Sequence, residues 1–495
     1  MSCLVLSSRA QEQAPYLDLK RDTFRGEVMK CCISQQSSGW LYPTVVICTY
    51  GFFSMMRPGE PFLTPFLIGP YKNISIAQVS RQIYPVWTYS NLVLLVPLFL
   101  VTDFLRYKPI VVLQGLCYVA AWLLLIFSSG VRAAQSALFV YSIASASDVG
   151  YYAYIYSVVH TEYYQRVTSY CRGSILVGFA VGSLLGQLLT SFGGLSFYWL
   201  NVITLVFLSI ALLLSFLLPM PKSSLLLNEL YPNCPNIDIS SESARPSRLA
   251  FSALRRVRWR CFVRAWTKLM KHYKGCYSSV AILFLSLWWS MGRCGFYQVS
   301  NYVQILWSLK EPHENFTAYN GAVDAVATLS GAAASFAVGH LTLSWFVWGE
   351  LILGLFSVVS AGSVYVMDVT SNIWICYASY VLFKSSYMML ITICTFQIAK
   401  KLSKECYALM FGVNTFLAMI LQTILTAVVI NTKSLQLPLT TQFFIYATFF
   451  ATIAFIFLVR GVYTLIQVRR SSLPEHAAGG CVSESSTDLQ GSAQL

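Results

Sequence analysis

Several ionisable residues stand inside long apolar runs of this sequence, and they are the side chains best placed to do chemistry. A charged side chain at the centre of a lipid bilayer costs about 2.5–3.5 kcal/mol on insertion scales unless it meets water or a partner. Each is therefore expected either to line a solute pathway or to close a structural ion pair, and the sequence leaves both interpretations open. The residues are Arg57, Glu60, Asp148, Arg172, Arg293, Asp324, Glu350 and Lys384.

Glu60 lies in a segment that cannot form a regular helix. The sequence there is Arg57-Pro58-Gly59-Glu60-Pro61, and two prolines around a glycine end a helix and free backbone groups. At membrane depth such groups are tolerated where they line protein or a water-filled cavity. We therefore predict that Glu60 faces a solute pocket, with an ion pair to Arg57 at the helix end as the alternative.

Residues 138–152 include a set that follows the spacing of one helical face. Its members are separated by three or four positions, and they are Leu138, Tyr141, Ser145, Asp148 and Tyr152. A face with an acid and two tyrosines is unsuited to lipid, so we expect it to line a cavity.

Aromatic and polar side chains in other runs indicate the chemistry of the solute. Tyr84 and Trp87 either belong to an aromatic belt at the membrane interface or turn inward and offer π-faces to a cation, at about 0.5–2 kcal/mol each. Asn301 and Asp324 add an amide and another acid. Together these groups favour a small-molecule partner that is a flat organic cation with hydrogen-bonding groups.

The composition indicates where these residues must lie. Of the 495 residues, 56% are hydrophobic and 11% are charged, whereas a soluble domain has about 25% charged residues. So much apolar surface also excludes a disordered chain. Residues 173–221 contain no Lys, Arg, Asp or Glu, and because a spanning helix takes about 20 residues, this stretch holds two. The chain is predicted to be a polytopic protein of the lipid bilayer.

Other classes of function lack their signatures in this sequence. Basic residues in cytoplasmic loops explain the net charge of +14, so no nucleic-acid partner is expected. The 14 cysteines are scattered, without C-x-x-C pairs or histidines at metal spacing. The motifs G-x-x-x-x-G-K-[ST], H-E-x-x-H and G-x-S-x-G are absent from the sequence. We therefore expect no enzyme, no catalytic residue, no cofactor and no metal.

Cutting the apolar runs at charge clusters, prolines and glycines gives twelve predicted spans. They lie near residues 42–58, 84–104, 109–129, 134–158, 170–190, 196–219, 278–306, 319–340, 346–367, 373–398, 406–430 and 440–466. The predicted domains are a tail at 1–40, a six-helix bundle at 41–220, a basic loop at 221–277, a second six-helix bundle at 278–466 and a disordered tail at 467–495.

The basic loop sets the predicted orientation. It holds eleven basic residues against three acidic ones, so the positive-inside rule places it in the cytoplasm together with both termini. The sequons at Asn73 and Asn315 then lie outside, where glycosylation occurs on the secretory route to the plasma membrane. Six helices on each side of such a loop predict an all-α membrane protein of the major facilitator type, with substrate held between the bundles.

Five stretches of this chain resemble the reduced folate and thiamine carrier family. They are residues 51–63 (GFFSMMRPGEPFL), 84–90 (YPVWTYS), 102–109 (TDFLRYKP), 151–159 (YYAYIYSVV) and 301–307 (NYVQILW). The resemblance covers about residues 41–463. It implies a vitamin carrier that works by alternating access, driven by the solute gradient or coupled to protons through Asp148, Asp324 or Glu60.

The resemblance also bears on which vitamin is carried. Folate carriers resemble this chain at residues 56–60 and at Asp324, but they have an arginine where Asp148 stands and a lysine where Gln422 stands. Folate is anionic and thiamine is cationic, and either base would repel a cation. The comparison favours thiamine uptake. The alternatives are a carrier of a folate-like anion or of pyridoxine, and a non-transporting sensor that has kept the fold.

Carried over position by position, the resemblance implies a set of substrate-binding residues. The aromatic members would enclose the two rings of thiamine, Asn301 would hydrogen-bond the aminopyrimidine, and the acids would offset positive charge. The set is Glu60, Tyr84, Trp87, Tyr141, Phe179, Asn301 and Asp324. Asp148 joins this set because it shares a helical face with Tyr141.

The chain departs from the family's thiamine carriers at several of these positions. Leu138 stands where those carriers have a glutamate, Asp148 and Asp324 each shorten a glutamate, and Phe179 replaces a tyrosine. Arg293 adds a base where they have an uncharged residue. That base either weakens the binding of a cation, shifts the substrate, or neutralises Asp148 or Asp324 structurally.

Overall fold

The computed structural model describes residues 40–105, 107–159, 163–220, 267, 279–310, 319–340, 345–401, 407–431 and 438–471. Within these residues the regular structure is helical, as the long apolar runs predict. The chain from residue 41 to 217 forms helices α1 (Leu41–Met55), α2 (Leu63–Ile68), α3 (Ile76–Gln78), α4 (Tyr84–Phe104), α5 (Lys108–Phe127), α6 (Val131–Ala146), α7 (Asp148–Val158), α8 (Tyr164–Ser191) and α9 (Phe197–Leu217).

The second part of the described chain supplies the remaining helices. They are α10 (Val280–Lys310), α11 (Asn320–His340), α12 (Trp345–Val369), α13 (Ile373–Lys401), α14 (Tyr407–Thr426) and α15 (Leu439–Ser471). Among the described residues, nine helical segments are long and apolar enough to cross a membrane by themselves. The other three predicted spans correspond to α1 with α2, to α4, and to α6 with α7. The twelve spans are therefore confirmed, whereas the exact domain boundaries stay a prediction.

The first span is interrupted where the prolines predict. Helix α1 ends at Met55, and a single 3₁₀ turn at Glu60–Phe62 precedes α2. This segment lies directly against α8, because that helix presents glycines to it. A β-carbon on Gly182 would stand 2.7 Å from the backbone nitrogen of Arg57. Small residues let two membrane helices approach closely, and here they fix the position of the Arg57–Glu60 segment.

The fourth span is divided, although we predict one run at 134–158. Helix α6 ends at Ala146 and α7 begins at Asp148. The carbonyl oxygen of Ala144 accepts a hydrogen bond from Nε2 of Gln114 at 3.2 Å, and the Ser147 hydroxyl donates to the Ile143 carbonyl at 2.7 Å. Side chains that insert into the backbone ladder in this way interrupt a helix.

The same lysine contact occurs in both halves of the chain. After the first span, Nζ of Lys72 donates to the carbonyl oxygens of Ile126 and Ser128, at 3.1 and 2.5 Å. At the end of α10, Nζ of Lys310 donates to the carbonyl oxygens of Asp368, at 3.0 Å, and Thr370. Both lysines thus cap the end of the third span of their half, where free carbonyls favour a cation. This repetition supports two similar bundles.

The two halves meet along α8 with α11 and along α4 with α14. At one end of these contacts, Nε2 of Gln304 donates to the carbonyl oxygen of Glu60 at 3.2 Å, and Nδ2 of Asn320 donates to that of Pro61 at 3.2 Å. The N–H of Ala322 donates to Oε1 of Gln187 at 3.1 Å. We call this hydrogen-bonded end the closed end of the molecule.

Candidate functional site

Arg57 organises the part of the site that belongs to the first span. Its Nη1 lies 3.3 Å from Oε2 of Glu60 and donates to the Tyr141 hydroxyl at 2.8 Å. Its Nε donates to the carbonyl of Ser54 at 2.6 Å, and the guanidinium lies 4.2 Å from the centre of the Tyr118 ring. The alternative interpretation of Glu60, an ion pair with Arg57, is therefore present in the structure.

The side chain of Glu60 nevertheless stays partly exposed. Its side chain is 29% exposed, whereas that of Arg57 is 2% exposed. The Tyr141 hydroxyl donates to Oε1 of Glu60 at 3.2 Å, so the carboxylate and the phenol stand side by side. The helical face that carries Tyr141 thus does meet the broken end of the first span.

Asp324 has a base of its own. Nζ of Lys384 lies 2.9 Å from its Oδ1, and the Tyr380 hydroxyl donates to the same oxygen at 3.3 Å. The ammonium of Lys384 also lies 4.7 Å from the centre of the Phe179 ring, which belongs to α8 in the other half. Phe179 and Asp324 are therefore neighbours through Lys384, a residue that was not among the predicted site residues.

Tyr84 and Trp87 face the second half of the chain. The Trp87 ring lies 5.8 Å from that of Tyr297, and the Tyr84 ring lies 6.1 Å from that of Tyr302. The Tyr84 hydroxyl shares a hydrogen bond with Thr64 at 2.5 Å. Both rings thus contact the second half of the chain, which favours the inward orientation over an aromatic belt at the membrane interface.

Asp148 and Arg293 belong to opposite halves and do not form an ion pair. Oδ1 of Asp148 accepts a hydrogen bond from Nε2 of Gln114. Nη2 of Arg293 donates to the Tyr297 hydroxyl at 3.1 Å, and its guanidinium lies 5.0 Å from the Trp289 ring. In the described residues Arg293 neutralises neither Asp148 nor Asp324 by direct contact.

The remaining positions differ in their surroundings. Leu138 is half-buried and packs, as Tyr84 does, against the hydrophobic core. Asn301 is half-buried as well. Its side chain makes no hydrogen bond to another residue that the structure describes.

Glu350 lies outside this site. Its Oε2 is 3.3 Å from Nε of Arg460 and accepts a hydrogen bond from the Thr464 hydroxyl at 2.6 Å. This is a structural ion pair between α12 and α15. Arg172 is exposed on α8, the helix that also carries Phe179.

Of the two predicted glycosylation sites, Asn73 is described by the structure. Asn73 is exposed in the turn after α2, and the hydroxyl of Ser75 accepts from the N–H of Gln78 to begin α3. Asn315 lies outside the described residues. No group of three metal-ligating side chains occurs in the part of the chain that the structure describes.

Within the described site, three acids face three bases. The bases are Arg57, Arg293 and Lys384, and the acids are Glu60, Asp148 and Asp324, which gives a formal charge of zero. The sequence predicted the three acids as partners of a cation, but the neutralisation of Asp324 by Lys384 was not predicted. Lys384 could have been included on the same ground as the acids, because it too is an ionisable side chain inside an apolar run.

Comparison with known families gives a match over most of the chain. Residues 38–445 match the family described as reduced folate carrier. The human thiamine transporter 2 is 47% identical over 461 residues, which are 88% of this chain and 92% of that protein. The human thiamine transporter 1 is 46% identical, over 86% of this chain and 91% of that protein. The human reduced folate transporter is 40% identical, over 85% of this chain and 72% of that protein.

Solved structures with the same fold are distant in sequence. A crystal structure of the nucleoside transporter NupG superposes with a TM-score of 0.53 at 13% identity, covering 84% of this chain and 98% of that one. A POT family transporter superposes with a TM-score of 0.59 at 10% identity and covers 85% and 96%. These similarities concern the fold alone, and they confirm the major facilitator architecture with two six-helix bundles.

Proposed function

The chain belongs to the reduced folate carrier family, and we propose that it carries thiamine (vitamin B1) into cells across the plasma membrane. The observation that carries this proposal is the higher identity to proteins named thiamine transporters, 47 and 46%, than to the human reduced folate transporter, at 40%. Position 148 agrees with it, because an acid there suits a cation better than the arginine of the folate carriers.

The geometry of the site supports a flat cationic solute. Tyr84, Trp87, Tyr141 and Phe179 come from the first half, and each lies next to a polar or ionisable side chain. Aromatic faces attract organic cations and stack on flat rings. From the second half, the free amide of Asn301 can hydrogen-bond a ring nitrogen. We assign these residues, with Glu60, Asp148 and Asp324, to substrate binding.

The weak contacts that join the two halves at the closed end support transport by alternating access. At the closed end, the joining contacts include single hydrogen bonds from Gln304, Asn320 and Ala322. Such bonds contribute about 0.5–1.5 kcal/mol each, so rocking of the bundles can break them at modest cost. In the predicted topology this end is extracellular, with both termini in the cytoplasm and Asn73 and Asn315 glycosylated outside.

Among the three acids, we assign proton coupling to Asp148. Protonation of Glu60 would break its ion pair with Arg57, and protonation of Asp324 would break that with Lys384. Asp148 has no ion pair among the described residues, so protonation of Asp148 breaks none, in contrast to protonation of Glu60 or Asp324.

Uptake of labelled thiamine by cells that express this chain tests the proposal. Saturable thiamine uptake that excess folate and pyridoxine do not suppress is the expected result. Saturable uptake of folate or pyridoxine without thiamine would replace the substrate, and expression at the plasma membrane without uptake of any of the three would favour a sensor.

A further inference from the structure

Arg293 is the base in the site that has no acid of its own. Arg57 is paired with Glu60 at 3.3 Å and Lys384 with Asp324 at 2.9 Å. Arg293 has no ion pair with any residue that the structure describes. Its Nε atom is buried and has no hydrogen-bond partner there, which is unfavourable for a charged donor unless a ligand supplies the acceptor.

The position of the guanidinium is fixed by aromatic neighbours. It lies 5.0 Å from the Trp289 ring and 5.1 Å from the Tyr297 ring, and Nη2 donates to the Tyr297 hydroxyl at 3.1 Å. The Tyr297 ring in turn lies 5.8 Å from that of Trp87 in the other half. The ring of Tyr297 therefore lies between Arg293 and Trp87, one of the aromatic residues assigned to thiamine.

Asp148 is the matching acid without an ion pair among the described residues. It belongs to the first half, whereas Arg293 belongs to the second, and the described acids and bases that do form ion pairs in the site are Arg57 with Glu60 and Lys384 with Asp324. Of the three acids and three bases of the site, subtracting the two closed ion pairs leaves one positive charge in the second half and one negative charge in the first. A solute that carries both charges would satisfy both side chains, whereas a simple cation satisfies one and is repelled by the other.

We propose that the site accepts an organic cation that also carries a phosphate monoester, with thiamine monophosphate as the representative. This inference rests on the proposed function, because the same aromatic residues bind the thiamine rings. The phosphate is bound by Arg293, whose planar guanidinium can donate two parallel hydrogen bonds to phosphate oxygens. Arg293 is thus the residue that determines specificity between the free vitamin and its phosphate ester.

The test uses the full-length protein purified into proteoliposomes, which removes the surface phosphatases that would release free thiamine. Uptake of labelled thiamine and of labelled thiamine monophosphate is measured for the wild type, for Arg293→Gln and for Arg293→Lys. The exposed Arg132 supplies a matched control, Arg132→Gln, which removes one positive charge outside the site.

We expect the wild type to transport the monophosphate and to be inhibited by it in thiamine uptake. Arg293→Gln should weaken the apparent affinity for the monophosphate at least about tenfold and strengthen that for thiamine, because a base beside a cation is removed. The affinity of Arg293→Lys for the monophosphate should lie between those of the wild type and Arg293→Gln, since lysine keeps the charge but loses the planar pair of donors. Arg132→Gln should behave as the wild type.

Different results overturn different statements. If the wild type takes up thiamine but not the monophosphate, and the monophosphate does not inhibit thiamine uptake, the inference is overturned and the proposed function stays intact. Equal loss of both substrates in Arg293→Gln also overturns it, because it indicates a structural role. Absence of uptake of either compound by the wild type overturns the proposed function itself. The inhibition measurement needs no variant, so the inference stays testable if a variant fails to fold.

Discussion

Nζ of Lys384 lies 2.9 Å from Oδ1 of Asp324, so the acid expected to offset a bound cation is already offset by a base of the same half. Both side chains are about nine-tenths buried. Breaking a buried pair from one side leaves an uncompensated charge, which costs about 3–5 kcal/mol. Asp324 is therefore as much a structural partner of Lys384 as a candidate ligand.

This pairing predicts a non-additive pair of variants. Lys384→Met and Asp324→Asn should each lower the melting temperature of the purified protein in detergent. The melting temperature of the double variant should fall by less than the sum of the decreases in the two single variants, because the double variant leaves no unpaired charge. Additive losses would indicate that the two side chains contribute independently and that the ion pair has no energetic role.

Trp87 should contribute a π-face to thiamine binding. Trp87→Ala is expected to raise the thiamine concentration for half-maximal uptake roughly two- to thirty-fold, and Trp87→Phe should lose less because it keeps an aromatic ring. Trp199 is exposed on α9, so Trp199→Ala is the matched control. Equal effects of Trp87→Ala and Trp199→Ala would remove Trp87 from the site.

Leu138 should be a position where thiamine affinity can be gained. A carboxylate there would accept a hydrogen bond from a cationic solute, so Leu138→Glu should strengthen the apparent affinity for thiamine roughly tenfold. Leu138→Gln has a similar shape without the charge and should gain less. Both are compared by saturation of labelled thiamine uptake at equal surface expression. Unchanged or weaker affinity in Leu138→Glu would show that this position does not face the solute.

Gly321 should be required for the closed end to form. A β-carbon there would lie 2.5 Å from the carbonyl oxygen of Ser183 in the other half. Overpacking of this kind costs about 1–3 kcal/mol, so Gly321→Ala should lower uptake roughly five- to hundred-fold without lowering surface expression. Gly362→Ala is the control, because a β-carbon at Gly362 meets no atom within 4 Å.

An unaltered rate in Gly321→Ala would mean that this contact is not part of the transport cycle. A rate that falls equally in Gly362→Ala would point to a general effect of added side chains in the helices rather than to closure of the two halves.

Asp148 should carry the proton if transport is proton-coupled. Asp148→Asn keeps the shape of the side chain but cannot ionise, so uptake by this variant should not respond to an imposed pH gradient. The wild type is measured in the same proteoliposomes with thiamine on one side. A response that persists in Asp148→Asn would assign the coupling to another group, and a wild type without any response would show that the solute gradient drives transport alone.

Much of the fold was determined locally and could be predicted from the sequence. Pro58 and Pro61 end the first helix because proline cannot donate the backbone hydrogen bond that a helix needs, and the structure has that interruption. The uncharged stretch at 173–221 is divided between α8 and α9, because a helix satisfies its polar backbone groups within one segment and needs no partner strand in the bilayer. The break at Ser147 was not predicted, since the intruding Gln114 belongs to another helix.

The charges of the site show what only the tertiary structure decided. The sequence by itself determined that Asp324, Lys384, Asp148 and Arg293 lie in spans and are too costly to face lipid. It did not determine their partners, because an ion pair depends on a separation of a few ångströms between helices that are far apart along the chain. Packing brought Lys384 to Asp324 and kept Arg293 out of contact with Asp148, so it was the tertiary structure that left one charge of each sign without an ion pair among the described residues.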